Sequence, residues 1–225
     1  MAKRVFDLLL AGIGLVIVGP VMLLIAAAVK LSSTGPVFYR GARVGRNGVP
    51  FRIFKFRTMV ANADRIGGSS TCSNDVRVTG VGRFLRSFKL DELPQLINVV
   101  SGDMSLVGPR PEVQEYVDLY TEEEKAILQL RPGITDWASI WNSDEGAILA
   151  SAEDPDRAYM ELIRPTKLKL QLRYRYDHSV TTDLKILGCT FWKLIRSDWA
   201  PTEIAAIGRP GQPLVAVRAT QRPAA

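Results

Sequence analysis

VFDLLLAGIGLVIVGPVMLLIAAAV, residues 5–29, runs 25 residues with a single charge, Asp7. As a straight α-helix rising 1.5 Å per residue it would reach roughly 37 Å, enough to cross a hydrocarbon core of about 30 Å. Spanning is therefore the simplest reading. Pro20 argues for another: it withdraws one backbone hydrogen bond, to the carbonyl of Val16, and Gly19 beside it lets the chain bend. Arms on either side of Gly19 and Pro20 are about 12 to 15 residues, roughly 18 to 22 Å, too short to cross alone. Lys3 and Arg4 precede the run, while Lys30, Arg40, Arg43 and Arg46 follow it, so both flanks carry the mark of the cytoplasmic side. A re-entrant membrane helix broken at Gly19 and Pro20 satisfies the length, the kink and both flanks. Spanning stays open, because proline is tolerated in true spanning helices. A cleaved signal peptide fits less well, since the run exceeds an h-region of about 7 to 15 residues.

Outward from this helix the chain divides into residues 1–31, a catalytic body over 32–200 on the membrane surface, and a disordered tail over 201–225. At 225 residues there is room for one domain with a real core, and no internal repeat is visible. Lys and Arg number 29 against 23 Asp and Glu, which favours anionic partners without choosing among them. Cys72 and Cys189 lack CxxC spacing and suggest neither a zinc site nor a disulfide framework. His178 is the sole histidine, which excludes multi-His zinc sites and leaves acid and base work to carboxylates, Lys or Tyr.

After the linker Ser32–Pro36, the segments VFYR and FRIFKFRTM alternate apolar and basic residues around GRNG, a β-hairpin pattern. Between positions 40 and 89 eleven basic residues face two acids, which is either a solvated surface or a face for headgroups or phosphates. Residues 62–74, with GGSSTCSN at their centre, read as a mobile loop that could act as a lid. Thr121 and Glu124 stand at capping-box spacing, and a Pro-Gly turn follows at 132–133. A helix over about 155–176, kinked near Pro165, and another over 184–195 have the make-up of amphipathic interfacial helices. Packing on the protein's own core explains them equally well. The fold class expected is α+β, predominantly helical, with a small β-hairpin.

RSFKLDELPQLINVVSGDMSLVGPRP, residues 86–111, places two carboxylates, Asp91 and Glu92, next to each other after a basic segment. An ionised carboxylate can attack phosphorus to form an acyl phosphate, and a neighbour can hold a divalent cation or move a proton. Asp before a turn containing Pro is also how an ordinary helix begins, with Asp capping free N–H groups. Adjacent helical residues point about 100° apart, so the two acids need not serve one role. Mg²⁺ suits such a pair, since it takes one or two carboxylates plus substrate phosphates and needs no His or Cys.

Taken in order, KRVFD at 3–7, the proline-bearing apolar run, FRIFKFRTM at 51–59, residues 86–111, RPGIT at 131–135 and DLKI at 183–186 resemble the bacterial sugar transferases. The likeness is to the small monotopic phosphoglycosyl transferases and covers about the first 200 residues. The resemblance implies transfer of a sugar phosphate from a UDP-sugar to polyprenol phosphate at the inner membrane, with release of UMP, catalysed on its cytoplasmic face. It implies Asp91 as nucleophile of a phosphosugar adduct and Glu92 as the partner for Mg²⁺ and the lipid phosphate, so that both acids face the metal. Arg86, Lys55 and Arg57 match basic positions of the family and would neutralise the diphosphate. Arg110 in GPRP and Arg131 in RPGIT would contact the nucleotide-side phosphate. Inner-membrane lipids are implied as partners and nucleic acid is not. Two departures stand out: Gly19-Pro20 replaces a common Ser-Pro, and Asp136 occupies a common glycine position. Water as acceptor, making a phosphohydrolase, and a non-enzymatic basic membrane anchor are the competing classes.

Overall fold

In the computed structural model, residues 2–63, 75–143, 145–150, 152–205 and 207 are described. The apolar run forms one α-helix, α1 (Ala2–Ser32), with Pro20 inside it. Helical backbone continues through Gly19 and Pro20, so any bend at the proline lies within one helix. One missing hydrogen bond out of a long ladder does not end a helix whose neighbouring bonds hold.

Both ends of α1 are fastened to the same body. At the start, the Arg4 guanidinium donates to the carbonyls of Val99 (2.6 Å) and Val100 (3.1 Å). Asp7 is buried and accepts from Ser105 Oγ (2.8 Å) and the Leu106 amide (3.2 Å), while Lys3 reaches Asp7 (3.2 Å) and Asp183 (2.7 Å). At the far end Arg57 donates to the carbonyls of Val29, Ser33 and Thr34. Between these anchors Met22, Ile25 and Val29 pack on Phe56 and Leu85. The opposite face is largely uncovered among the described residues: Val16, Leu23 and Leu24 are 79, 74 and 72% exposed. Exposed apolar surface this continuous marks an interaction site.

The hairpin forms as expected, in two antiparallel steps. β1 (Phe38–Tyr39) pairs with β4 (Lys55–Phe56), and β2 (Ala42–Val44) pairs with β3 (Pro50–Arg52), with Arg43 opposite Phe51. Asn47, with φ 57°, makes the turn. Then come α2 (Gly80–Ser87), capped by Thr79, a 3₁₀ turn at Leu90–Glu92, and α3 (Gln95–Ser101), which lies along α1. β5 (Ser105–Val107) and β6 (Gly133–Thr135) form a short parallel pair. Gly108 and Gly133 stand where these strands leave each other. A Cβ on either would strike the backbone of the other's segment, so both motifs need glycine there.

α4 (Gln114–Val117) and a 3₁₀ helix at Glu124–Gln129 intervene between the two strands. The capping box is present: the Thr121 amide donates to Glu124 (2.8 Å) and the Glu124 amide to Thr121 Oγ1 (3.2 Å). α5 (Trp137–Trp141), α6 (Glu145–Ala150) and α7 (Pro155–Ala158) lead to a π-turn at Tyr159–Ile163 and α8 (Arg164–Asp177), so the irregularity falls just before Pro165. The interfacial reading fails for α8, whose Thr166, Lys167, Leu168, Leu170, Gln171 and Tyr174 are buried in the main core beside Trp137, Ile140 and Val107. α9 (Val180–Ile195) differs. Its C-terminal half exposes Phe191, Trp192, Leu194 and Ile195. The tail expected from 201 onward begins instead with α10 (Thr202–Ala205), which buries Ile204. Residues 64–74 of the expected lid and 208–225 of the tail lie outside the described residues.

Candidate active site

The two acids sit between α2 and α3, on the 3₁₀ turn. Lys89 enters that turn with φ 56°, a left-handed conformation that a lysine adopts at a cost. Asp91 is 7% exposed, and its Oδ1 has no hydrogen-bond partner among the described residues. It does not cap α3, which starts at Gln95 without a side-chain cap. The capping reading of DELPQ is therefore wrong here. Pro94 supplies the helix entry instead, and Asp91 is left with an open oxygen.

Glu92 is handled differently. Lys55 from β4 meets its Oε1 at 2.8 Å, and Arg110 grips both oxygens, through Nη1 to Oε2 at 3.0 Å and through Nη2 to Oε1. Strand and loop are held in place for this. Asn98, fully buried on α3, accepts from the Phe54 amide (2.8 Å) and donates to the Arg52 carbonyl (3.0 Å), which fixes the strand carrying Lys55. The Arg110 amide donates to Asp136 Oδ2 (3.2 Å), and Asp136 also caps α5 through the Ser139 amide (2.6 Å) and accepts from Gln171 (3.1 Å). Asp136, which departs from the family pattern, is thus a buried support for the Arg110 loop. It makes no surface for a sugar.

Charge and burial push the two acids apart. Burial raises the Asp91 carboxyl above its ordinary value, with Lys55 opposing and Glu92 adding to the rise. Burial alone would raise Glu92 too, but Arg110 and then Lys55 hold it well below the usual carboxylate range. Burial lowers the Lys55 ammonium against the pull of Glu92. Arg110 is raised, chiefly by Glu92. Titratable neighbours with divergent affinities are what acid, base and nucleophile roles require.

Of the cations expected to meet phosphate, Lys55 and Arg110 converge on Glu92. Arg86 donates to Thr58 Oγ1 (2.8 Å) and lies close enough for Asp91 to raise its pKa against the lowering by burial. Arg57 and Arg131 do not join them. Arg57 is buried against the last carbonyls of α1, and Arg131 donates to the Gly102 carbonyl (3.0 Å) at the end of α3. Both complete the C-terminus of a helix, where unpaired carbonyls attract cations.

A cavity of about 160 Å³ opens beside this centre, lined by Lys55, Arg110, Glu112, Tyr116, Tyr159 and Lys167 among others. Lys167 pairs with Glu112 and lies 3.1 Å from Tyr159 Oη, which donates to the same Glu112 oxygen (2.7 Å). Sequence reasoning missed this triad, Asn98 and the support role of Asp136. The position of Glu112, directly after GPRP, was the one available signal.

Among the described residues no three His, Cys, Asp or Glu side chains cluster as a metal cage. The Asp91 carboxylate, with its buried Oδ1 unpartnered, is nonetheless a hard oxygen ligand, and it suits Mg²⁺ that takes most of its shell from substrate phosphates and water. Glu92 could contribute only by exchanging a cation it already holds.

Residues 1–197 match the bacterial sugar transferase family. Over 199 residues the chain is 39% identical to the UDP-glucose:undecaprenyl-phosphate glucose-1-phosphate transferase of Escherichia coli strain K12; the match takes in 86% of this chain and 40% of that protein. It is 39% identical over 196 residues to the uncharacterized sugar transferase EpsL of Bacillus subtilis strain 168, covering 87% of this chain and 88% of that one. To the UDP-N-acetylgalactosamine-undecaprenyl-phosphate N-acetylgalactosaminephosphotransferase of Aeromonas hydrophila it is 43% identical over 141 residues, 61% of this chain and 33% of the relative. With the match running from the start of α1 to beyond the end of α9, the chain belongs to the bacterial sugar transferase family.

Proposed function

We propose that this protein transfers a sugar 1-phosphate from a UDP-sugar to undecaprenyl phosphate through a covalent adduct on Asp91, and so initiates a surface glycan. The observation that carries the reading is the contrast at the centre: a buried Asp91 with an unpartnered Oδ1, beside a Glu92 fully engaged by Lys55 and Arg110. Relatives named for this chemistry support it.

A carboxylate oxygen of Asp91 attacks the phosphorus that bears the sugar. The bond from that phosphorus to the bridging oxygen breaks, and its electron pair leaves with UMP. An oxygen of undecaprenyl phosphate then attacks the same phosphorus, the Asp91–phosphorus bond breaks, and the carboxylate is restored. Lys55 and Arg110 present fixed positive charge where negative charge grows on the departing phosphate, and such preorganised charge contributes most in a site that excludes water. The raised Asp91 carboxyl is more basic than a free one and correspondingly better at attack, provided it is ionised. Glu92, held ionised, keeps Lys55 and Arg110 in place, and the lipid phosphate could pair with those two cations by displacing the Glu92 carboxylate from them. Mg²⁺, held by Asp91 and donor phosphates with Glu92 nearby, would neutralise diphosphate charge and favour the leaving phosphate.

The lipid substrate requires a membrane, and α1 supports an inner-membrane location with the body on the cytoplasmic face. Its 31 residues would extend about 46 Å if straight. Yet residues 3–7 and 29–34 are both bonded to one body, which favours entry and exit by the same face over crossing.

The deciding experiment mixes purified protein, Mg²⁺ and a panel of UDP-sugars without lipid and seeks a sugar-phosphate mass on the peptide bearing Asp91. Turnover with lipid present but no adduct from any sugar would sink the covalent route. For topology, single cysteines at Ala2 and Ser33 should both be labelled from the cytoplasmic side.

A further inference from the structure

The Glu112, Tyr159 and Lys167 triad is not used by the chemistry above, and stability alone explains it poorly. The Glu112 and Lys167 side chains are 11 and 9% exposed. Burying such a pair costs desolvation that its mutual attraction barely offsets, and apolar residues of the same volume would usually serve the fold as well or better. Its charges are also firmly held. Although burial lowers the Lys167 ammonium, Glu112 more than restores it, and burial raises the Tyr159 phenol.

The triad forms one wall of the 160 Å³ cavity, and Lys55 and Arg110, the two cations on Glu92, belong to the same lining. Glu145 adds a second carboxylate, which accepts from Asn142 Nδ2 (2.7 Å). Tyr116 lies with its ring 4.9 Å from that of Tyr159. Both bonds to Glu112 converge on Oε1, so Oε2 is not taken up by the triad.

A UDP-sugar has three parts that could enter. A phosphate suits Lys55 and Arg110 on the side of Glu92 but would be opposed by the two carboxylates Glu112 and Glu145 of the same lining. A nucleoside is too large, since pockets that bury ligands of drug size run from about 300 to 1,000 Å³. A sugar ring fits both size and chemistry: carboxylates accept from hydroxyls, an ammonium donates to them, and a tyrosine ring receives the apolar face. The ring must also lie beside the phosphorus attacked by Asp91, which is where the cavity opens.

We infer that this cavity holds the sugar ring of the donor, with Glu112 and Glu145 accepting its hydroxyls and Lys167 and Tyr116 completing the pocket. This rests on the donor reading given above. Because a site built around a substrate hydroxyl leaves its polar groups unpaired when that hydroxyl is misplaced, epimers should be told apart strongly.

The test measures binding on the full chain in detergent with Mg²⁺, carrying Asp91→Asn so that the donor is not consumed. UDP, UDP-glucose, UDP-galactose, UDP-N-acetylglucosamine and UDP-N-acetylgalactosamine are compared by calorimetry. One sugar should bind at least tenfold tighter than UDP and than its epimer. Adding Glu112→Gln or Glu145→Gln should bring that sugar to within about threefold of UDP while UDP itself is held as before. Glu145→Gln disturbs no buried ion pair, so it remains informative if Glu112→Gln fails to fold. A sugar preference that survives Glu145→Gln and any folded Glu112→Gln protein, or UDP binding that falls in step with it, overturns the inference. So does native protein that forms adducts on Asp91 while its Asp91→Asn form binds every UDP-sugar no tighter than UDP. If native protein forms no adduct and no sugar adds to UDP binding, the donor reading itself fails and takes this inference with it.

Discussion

Two pairs of buried acids, each served by a lysine, sit at opposite ends of the argument. Asp7 and Asp183 share Lys3: Ser105 and the Leu106 amide also serve Asp7, Tyr174 Oη donates to Asp183 Oδ1 at 2.6 Å, and Asp183 Oδ2 makes no hydrogen bond but has the Lys3 ammonium 2.7 Å away. Asp91 and Glu92 share the neighbourhood of Lys55, but Lys55 and Arg110 both go to Glu92 and Asp91 Oδ1 has nothing. Every oxygen of the first pair has a donor or a cation within 3.2 Å, and the pair holds α1 to β5 and α9. The second keeps one oxygen unsatisfied, a cost that a purely structural pair would have no reason to bear. Saturation distinguishes a fastening from a reactive centre more sharply than residue type does.

The hardest blow to this contrast is Asp91→Asn. Loss of the nucleophile should cut turnover by at least about 10³-fold and abolish the mass adduct, as removal of a covalent group does elsewhere. The fold should survive, because among the described residues no hydrogen bond depends on that side chain. A variant that keeps a tenth of wild-type turnover would place the chemistry on another group.

Next in size is Arg110→Gln. It removes the two-pronged grip on Glu92 and a charge facing the departing phosphate, so kcat/KM should fall by about 10²-fold to 10³-fold. Arg110→Lys should recover only part of this, since a point charge cannot bind both oxygens at once. If both variants stay within threefold of wild type, Arg110 only shapes the GPRP loop.

How much of this was readable beforehand differs between the two pairs. Asp91, Glu92, Lys55 and Arg110 lie in motifs whose residue types suit phosphate, so their grouping was legible. Lys3 and Asp7 were read as a membrane flank and a stray charge. Their partners Ser105 and Asp183 lie about a hundred or more residues away, beyond any local pattern. Arg57 and Arg131 were credited to the phosphate site because their type fits it. Free helix-end carbonyls want the same type, and only side-chain direction separates the two uses. KLKLQLRYRY looked like a cationic surface helix, yet α8 buries Lys167 on Glu112 and Gln171 on Asp136, satisfying inside what composition assigns to solvent. The long helix and the hairpin needed no distant partner and were legible from periodicity and a turn.

The fastening can be broken separately. Asp183→Asn keeps an acceptor for Tyr174 but removes the nearer of the two countercharges on Lys3, leaving Asp7 at 3.2 Å. Removing one partner of a buried pair costs about 3 to 5 kcal/mol. Because the Lys3 side chain is 33% exposed, solvent screens part of that, and about 2 kcal/mol is the expected loss in denaturant unfolding. Turnover per folded molecule should stay within twofold. A variant with wild-type stability but impaired adduct formation would erase the distinction between the two pairs.

The smallest effect reads the charge around Asp91 directly. Its carboxyl is raised in the folded protein, so near this residue the native state binds its proton more readily than the unfolded chain does. Its contribution to stability therefore falls as pH rises through the window above 3.8. Glu92 works in the other sense, contributing stability above 4.5 that is lost as pH falls through its lowered value. Catalysis feels the first of these, because a protonated Asp91 cannot attack, and adduct formation should decline as pH falls through the raised pKa. Arg86 is one of the cations that limit the rise. Arg86→Gln should therefore move the acid limb of the adduct-formation profile to higher pH, whatever it does to the maximum rate. The position of the limb is the discriminating quantity, since lost phosphate contact alone would lower the plateau and leave the limb in place. A limb that moves to lower pH would mean that Asp91 does not titrate in that step.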